Sequence, residues 1–190
     1  MPNIGGTPML YNRSIKFKNK GMTLIEVLIA MFILVSGILG AVAMQASAQK
    51  GSFDAMQRSV ASALAQDIIE RMRSNDATAL VGYAGTDYGA TLNSVPATRC
   101  NSSATLCTPA EMLVNDQYEW EMALMGADVM QGTDKVAGLT GARACITHIT
   151  NAVTVVISWQ GRTEISDSQK DSCGTSGAKR RQVIVEAFIN

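Results

Sequence analysis

Aromatic side chains make up only 5% of this 190-residue chain and charged ones 17%, and His148 is its one histidine. With a single imidazole, a histidine-based catalyst or metal centre has almost nothing to build on, and a histidine inside an extended run reads as a satisfied sheet residue. The sequence holds no G-x-S-x-G, no G-x-x-x-x-G-K-[ST] and no H-E-x-x-H, so no enzyme chemistry and no cofactor is expected. Sixteen bases balance sixteen acids, which removes a nucleic-acid grip by overall charge. Only four prolines occur, and none between Pro8 and Pro96, so nothing of that kind interrupts a long helix there. What remains is 47% apolar residues with eleven methionines, enough for one domain with a core and unlike a disordered chain.

The charge balance hides an asymmetry. Residues 1–21 carry Arg13, Lys16, Lys18 and Lys20 and no acid, whereas the rest has twelve bases against sixteen acids. Directly after this basic leader, residues 27–49 contain no charged side chain. About 20 helical residues suffice to cross a bilayer, and flanking positive charge keeps the preceding end on the cytoplasmic side. A secretory signal with Ala46-Ser47-Ala48 as its cleavage site is one reading, but its apolar stretch should be shorter. A plain signal anchor fits the length. Neither explains Glu26, a carboxylate beside the apolar run, where a charge costs about 2.5–3.5 kcal/mol at mid-membrane and marks function.

Gly21-Met22-Thr23-Leu24-Ile25-Glu26 and the apolar segment behind it resemble the N-terminal signal of type IV prepilins and pseudopilins. The resemblance implies cleavage by prepilin peptidase between Gly21 and Met22, N-methylation of Met22, and a role for Glu26 in assembly. There Glu26 would neutralise the new α-amino group of a neighbouring subunit. Met22 stands where the family usually has Phe, which points to a minor subunit. Asp67-Ile-Ile-Glu-Arg-Met-Arg-Ser-Asn75 is similar to the helix end of the PilV subgroup, the type IV pilus modification proteins. The implied partners are prepilin peptidase, other major and minor pilins and an inner-membrane assembly platform. The implied location is the inner membrane, single pass with a periplasmic head, and then a surface pilus serving assembly, adhesion and twitching motility. The alternatives are a minor pseudopilin of type II secretion and, in a different class, an exported enzyme on a signal anchor.

The segments follow as leader 1–21, membrane and assembly helix 22–44, and head 45–190. Phe53, Met56, Val60, Leu64, Ile68 and Met72 continue the helix as an apolar stripe, and Ser74-Asn75-Asp76 stops it. Two i,i+4 pairs, Asp54/Arg58 and Asp67/Arg71, add a few tenths of a kcal/mol each. A helix over 22–74 would be about 80 Å long. Residues 76–115, rich in Gly, Ala, Ser, Thr and Asn, read as an irregular connection with room for a short strand. Tyr118, Trp120, Met122 and Leu124 alternate with polar residues and predict a strand. Runs 142–149 and 152–160 form a hairpin about Thr150-Asn151, and 181–189 is a further strand. The expectation is an α+β fold: one long helix packed on a mostly antiparallel sheet of about four strands, as the pilin resemblance also implies.

Cys100, Cys107, Cys145 and Cys173 allow three disulfide connectivities. An exported segment favours disulfides over a Cys₄ zinc site, for which no C-x₂-C pair exists. Cys100–Cys107 with Cys145–Cys173 is the preferred set, the second pair resembling the disulfide-bounded C-terminal region of pilins. Asp128 and Asp134 lack EF-hand spacing and read as solvated acids, so no metal is expected. Lys179-Arg180-Arg181 reads as a solvated strand start, and Asn101-Ser102-Ser103 is a glycosylation sequon by pattern.

Overall fold

The computed structural model describes residues 21–102, 106–127, 129–132, 134–135, 137–165 and 172–189. The basic leader before Gly21, Asp128 and Ser103 of the sequon lie outside them. The chain divides into a unit ending at Met44 and a unit comprising Gln45–Asn190. In the first unit every described residue is exposed, and from Leu24 onward all are helical. This is the opening of helix α1 (Leu24–Ser74), which starts two residues later than the sequence predicts and ends where predicted. Gly37, Gly40 and Gly51 leave open space where a Cβ would stand, so no neighbour among the described residues requires their smallness.

In the second unit α1 buries Gln57, Ala61, Ala65, Ile68, Ile69 and Met72. The large residues Ile68 and Met72 belong to the predicted stripe, but Met56 is exposed and Val60 and Leu64 flank the buried row. The buried row runs instead through Gln57 and the fully buried Ala61 and Ala65, with the bulkier Val60 and Leu64 packed against the core beside it. After α1 a 3₁₀ helix (Ala77–Tyr83) is capped by Asp76, whose carboxylate accepts the Thr78 N–H at 2.9 Å. A short strand β1 (Gly85–Tyr88) follows. The segment expected to be irregular is therefore substantially ordered.

The predicted strand at 117–124 is instead the second helix, α2 (Pro109–Met125). Its start is built by Thr108, which accepts the Glu111 N–H while the Glu111 carboxylate accepts the Thr108 N–H, with Pro109 in the first turn. Gly126 ends it in the left-handed conformation, φ +68°. Leu113, Trp120 and Leu124 lie on one helical face and join the core, so the period-two alternation of four residues was the wrong template.

Two short strands, β2 (Met130–Gln131) and β3 (Asp134–Lys135), pair with each other. The main sheet is completed by β4 (Arg143–Ile149), β5 (Ala152–Gln160) and β6 (Arg180–Phe188), in the order β1-β4-β5-β6 with every pairing antiparallel. The hairpin turns at Thr150, whose φ of +55° is the one positive value outside glycine among the described residues. The fold is α+β with four strands in the main sheet, β1 taking the place expected of 117–124. On the inner face Ala144, Ile146, Val153, Val155, Ile157 and Trp159 meet α1 and α2. On the outer face Cys145 of β4 is joined to Cys173, which is itself buried and sits against the sheet. Cys100 is joined to Cys107 within the connection before α2.

Candidate functional site

The chemistry singled out by the sequence sits in the first turn of α1. Thr23 closes the helix start: its carbonyl accepts from the N–H groups of Glu26 (3.1 Å) and Val27 (3.3 Å), and its hydroxyl oxygen accepts from Glu26 at 3.4 Å. Glu26 is the acidic residue of that first turn. Its charge is favoured by the helix dipole there. Among the described residues no cation pairs with the Glu26 carboxylate. Met22 beside it is 69% exposed. From Glu26 the helix continues as an apolar surface with a best 18-residue mean hydropathy of 2.7. None of that window is buried. The arrangement is a helix end whose carboxylate has no counter-charge among the described residues, followed by an exposed apolar surface able to meet lipid or other helices. The Thr23 cap was missed in the sequence, although Thr-x-x-Glu ahead of an apolar run is a recognisable helix start.

In the second unit α1 is fastened by charge at both ends of its buried stretch. Asp54 accepts from Arg162 N–H (2.9 Å), the Thr163 hydroxyl (2.7 Å) and Arg181 of β6 (3.3 Å). It therefore pairs with residues far along the chain and not with Arg58 as expected. The Arg162 N–H holds the Asp54 carboxyl below its usual value, Thr163 and Arg181 adding to this against partial desolvation. The Arg162 guanidinium stacks on Phe53, 3.9 Å from the ring centre. At the other end Arg71 donates to Asp67 (3.0 Å), as predicted, and to Asp116 and Glu119 of α2 (3.1 Å each).

Glu119 also receives Arg99 at 2.9 Å, which docks the Cys100–Cys107 segment on α2. Burial opposes ionisation of Glu119, but Arg99 and Arg71 outweigh it and hold the carboxyl below its ordinary 4.5. Tyr83 donates its hydroxyl to Asp116 at 2.6 Å and accepts from Asn75. Desolvation, reinforced by Asp116, pushes that hydroxyl well above the usual tyrosine range. Sequence reasoning missed this network because it placed 117–124 on a strand.

Several groups differ from expectation. Lys179 is exposed, but Arg180 is 3% exposed and donates to the Cys173 carbonyl, and Arg181 is bound to Asp54 and Thr163. Two of the three supposedly solvated bases are thus structural. His148 lies in β4 as predicted, yet its buried Nε2 finds no hydrogen-bond partner among the described residues, so the ring is not satisfied there in the way expected. Joined in pairs, the four sulfurs are closed to zinc. Among the described residues no group of three or more His, Cys, Asp or Glu is placed to hold a metal.

Comparison with known families gives two matches. Residues 16–42 match the prokaryotic N-terminal methylation motif, and residues 43–118 match the family described as type IV pilin Tt1218. No curated protein and no solved structure matches significantly. The two matches adjoin and together span the helix start, all of α1 and the connection into α2. With the long helix and the antiparallel sheet they support a type IV pilin subunit, and the motif with its apolar helix fits a membrane-anchored one.

Proposed function

We propose that this chain is a minor structural subunit of a type IV pilus, of the kind represented by the PilV subgroup. Prepilin peptidase cuts after Gly21, and Met22 becomes the methylated N-terminus. Before assembly the chain crosses the inner membrane once through 22–44, with the basic leader on the cytoplasmic side and the head, 45–190, in the periplasm. It then enters the filament beside other major and minor pilins through the assembly platform, and serves initiation, adhesion and twitching motility. The supporting observation is the isolation of Glu26: a carboxylate at the head of an apolar helix, with no cation among the described residues. A newly exposed α-amino group on a neighbouring subunit is the compensating charge, and removing either member of such a buried pair strands the other.

The mature N-terminus, read by mass spectrometry, tests the processing: methyl-Met22 is expected, and an intact leader in cells with active peptidase refutes it. A filament pull-down of Glu26→Ala tests the pairing: cleavage should persist and incorporation should be lost. Normal incorporation of that variant overturns the role of Glu26. Cross-linking to pilus subunits in isolated filaments separates the pilus from a type II secretion pseudopilus.

A further inference from the structure

Glu121 differs from Asp116, the other buried carboxylate of α2, and from the half-buried Glu119. Asp116 and Glu119 each face an arginine, whereas Glu121 is only 2% exposed and no cation pairs with it among the described residues. Its oxygens are held by two backbone donors, Gly89 N–H at 2.8 Å and Asn93 N–H at 3.0 Å. A buried anion without a counter-charge is costly, and a cation brought near it relieves that cost. Glu121 lines a groove of about 490 Å³ whose other walls are β1 itself, Ala90, Thr91, Asn93 and Gln117. The groove carries a second carboxylate, Asp87, which is exposed, and no basic side chain.

The same groove runs along a sheet edge. β1 is the outermost strand, paired on one side with β4, and no strand covers its other side among the described residues. An open edge adds extended chains through its free backbone N–H and C=O groups; on β1 the Asp87 carbonyl is already taken by the Ala90 N–H at 3.0 Å, which leaves the pairing to the other residues of the strand. An acidic residue on so short an edge discriminates among them, repelling acidic strands and admitting basic ones.

We propose that the groove between β1 and α2 binds an extended peptide segment bearing a lysine or arginine, whose backbone extends the sheet at β1 and whose cation lies against Asp87 and Glu121. Backbone pairing supplies the orientation and the two carboxylates supply the selectivity. The groove belongs to the second unit and shares no residue with the first turn of α1, so the proposal stands whether or not the filament reading does.

The test uses the full chain in detergent and a labelled, blocked five-residue peptide with a central lysine flanked by valines and threonines. Saturable binding is expected, with backbone amide shifts concentrated at residues 85–88. The same peptide with a central glutamate should bind at least about tenfold more weakly. Asp87→Asn, on the exposed edge, should weaken the lysine peptide about threefold and leave a norleucine peptide unchanged. Glu121→Gln should act in the same direction, and Asp87→Asn decides the matter if that buried variant fails to fold. Equal binding of lysine and glutamate peptides, full binding of a proline-interrupted peptide, equal binding of lysine amide alone, or no saturation would each overturn the proposal.

Discussion

Asp54 on α1 and Arg181 on β6, 127 residues apart in the chain, are joined at 3.3 Å, with Arg162 and Thr163 completing the shell around the carboxylate. Both partners of the ion pair are mostly covered, at 16% and 15% side-chain exposure. Asp54→Ala removes a charged acceptor from three donors and should lower stability by about 2 kcal/mol. Urea unfolding of the full chain in detergent, followed by circular dichroism, measures it.

The acid response carries a definite sign. Asp54 and Glu119 have lowered carboxyl values in the folded chain, so at acid pH the unfolded chain binds more protons. Their contribution is complete above the ordinary carboxylate range and is lost as pH falls through the lowered folded values. Stability should therefore drop below about pH 4. Asp54→Asn should make that drop shallower, and thermal melts at a series of pH values will show the difference.

Trp120 is fully buried, donates its indole N–H to the Leu64 carbonyl at 2.8 Å, and makes a T-shaped contact with Tyr88 at 5.3 Å between ring centres. Trp120→Ala should cost about 3–5 kcal/mol through the cavity it leaves. Trp120→Phe keeps most of the packing and should cost markedly less. The same unfolding measurement separates the two.

Gly126 combines φ +68° with a backbone approach that places any Cβ against the Ala137 carbonyl. Gly126→Ala must distort the end of α2, so its destabilisation should exceed the roughly 1 kcal/mol usual for such a residue at a positive φ. Hydrogen exchange of the last α2 turn should rise with it.

The Cys145–Cys173 bridge spans 28 residues and fastens a segment over the outer face of the sheet. Replacing both cysteines with serine should cost about 3 kcal/mol, since a loop of that length is freed in the unfolded chain. Thermal unfolding with and without reductant checks this, and the double variant should be insensitive to the reductant.

Much of the fold was legible where one signal acted over many residues. The end of α1 at Ser74, the hairpin about Thr150 and the β6 segment follow from missing prolines, an unbroken apolar run and extended β-branched stretches. α2 was not, because four alternating residues outweighed Thr108, Pro109 and Glu111, whose spacing starts a helix. The buried row of α1 was misplaced at Met56 because it runs through Gln57, Ala61 and Ala65, and a polar residue and two small ones give little apolar signal. Of the candidate site, Glu26 was singled out by its setting in an apolar run. Partners such as Arg181 for Asp54, or Arg99 and Arg71 for Glu119, depend on strands and helices meeting in space, which residue spacing along one element does not record.

The two charge clamps on α1 have a mechanical consequence. Asp54 and Arg71 stand seventeen residues apart on one continuous helix, one gripped by β6 and the β5–β6 loop, the other by α2. A slip of even one residue, about 1.5 Å of travel with a turn of about 100°, pulls both carboxylate–guanidinium contacts out of register at once. Tension or torque entering along the helix axis is therefore handed directly to the sheet and to α2, with no slack in between.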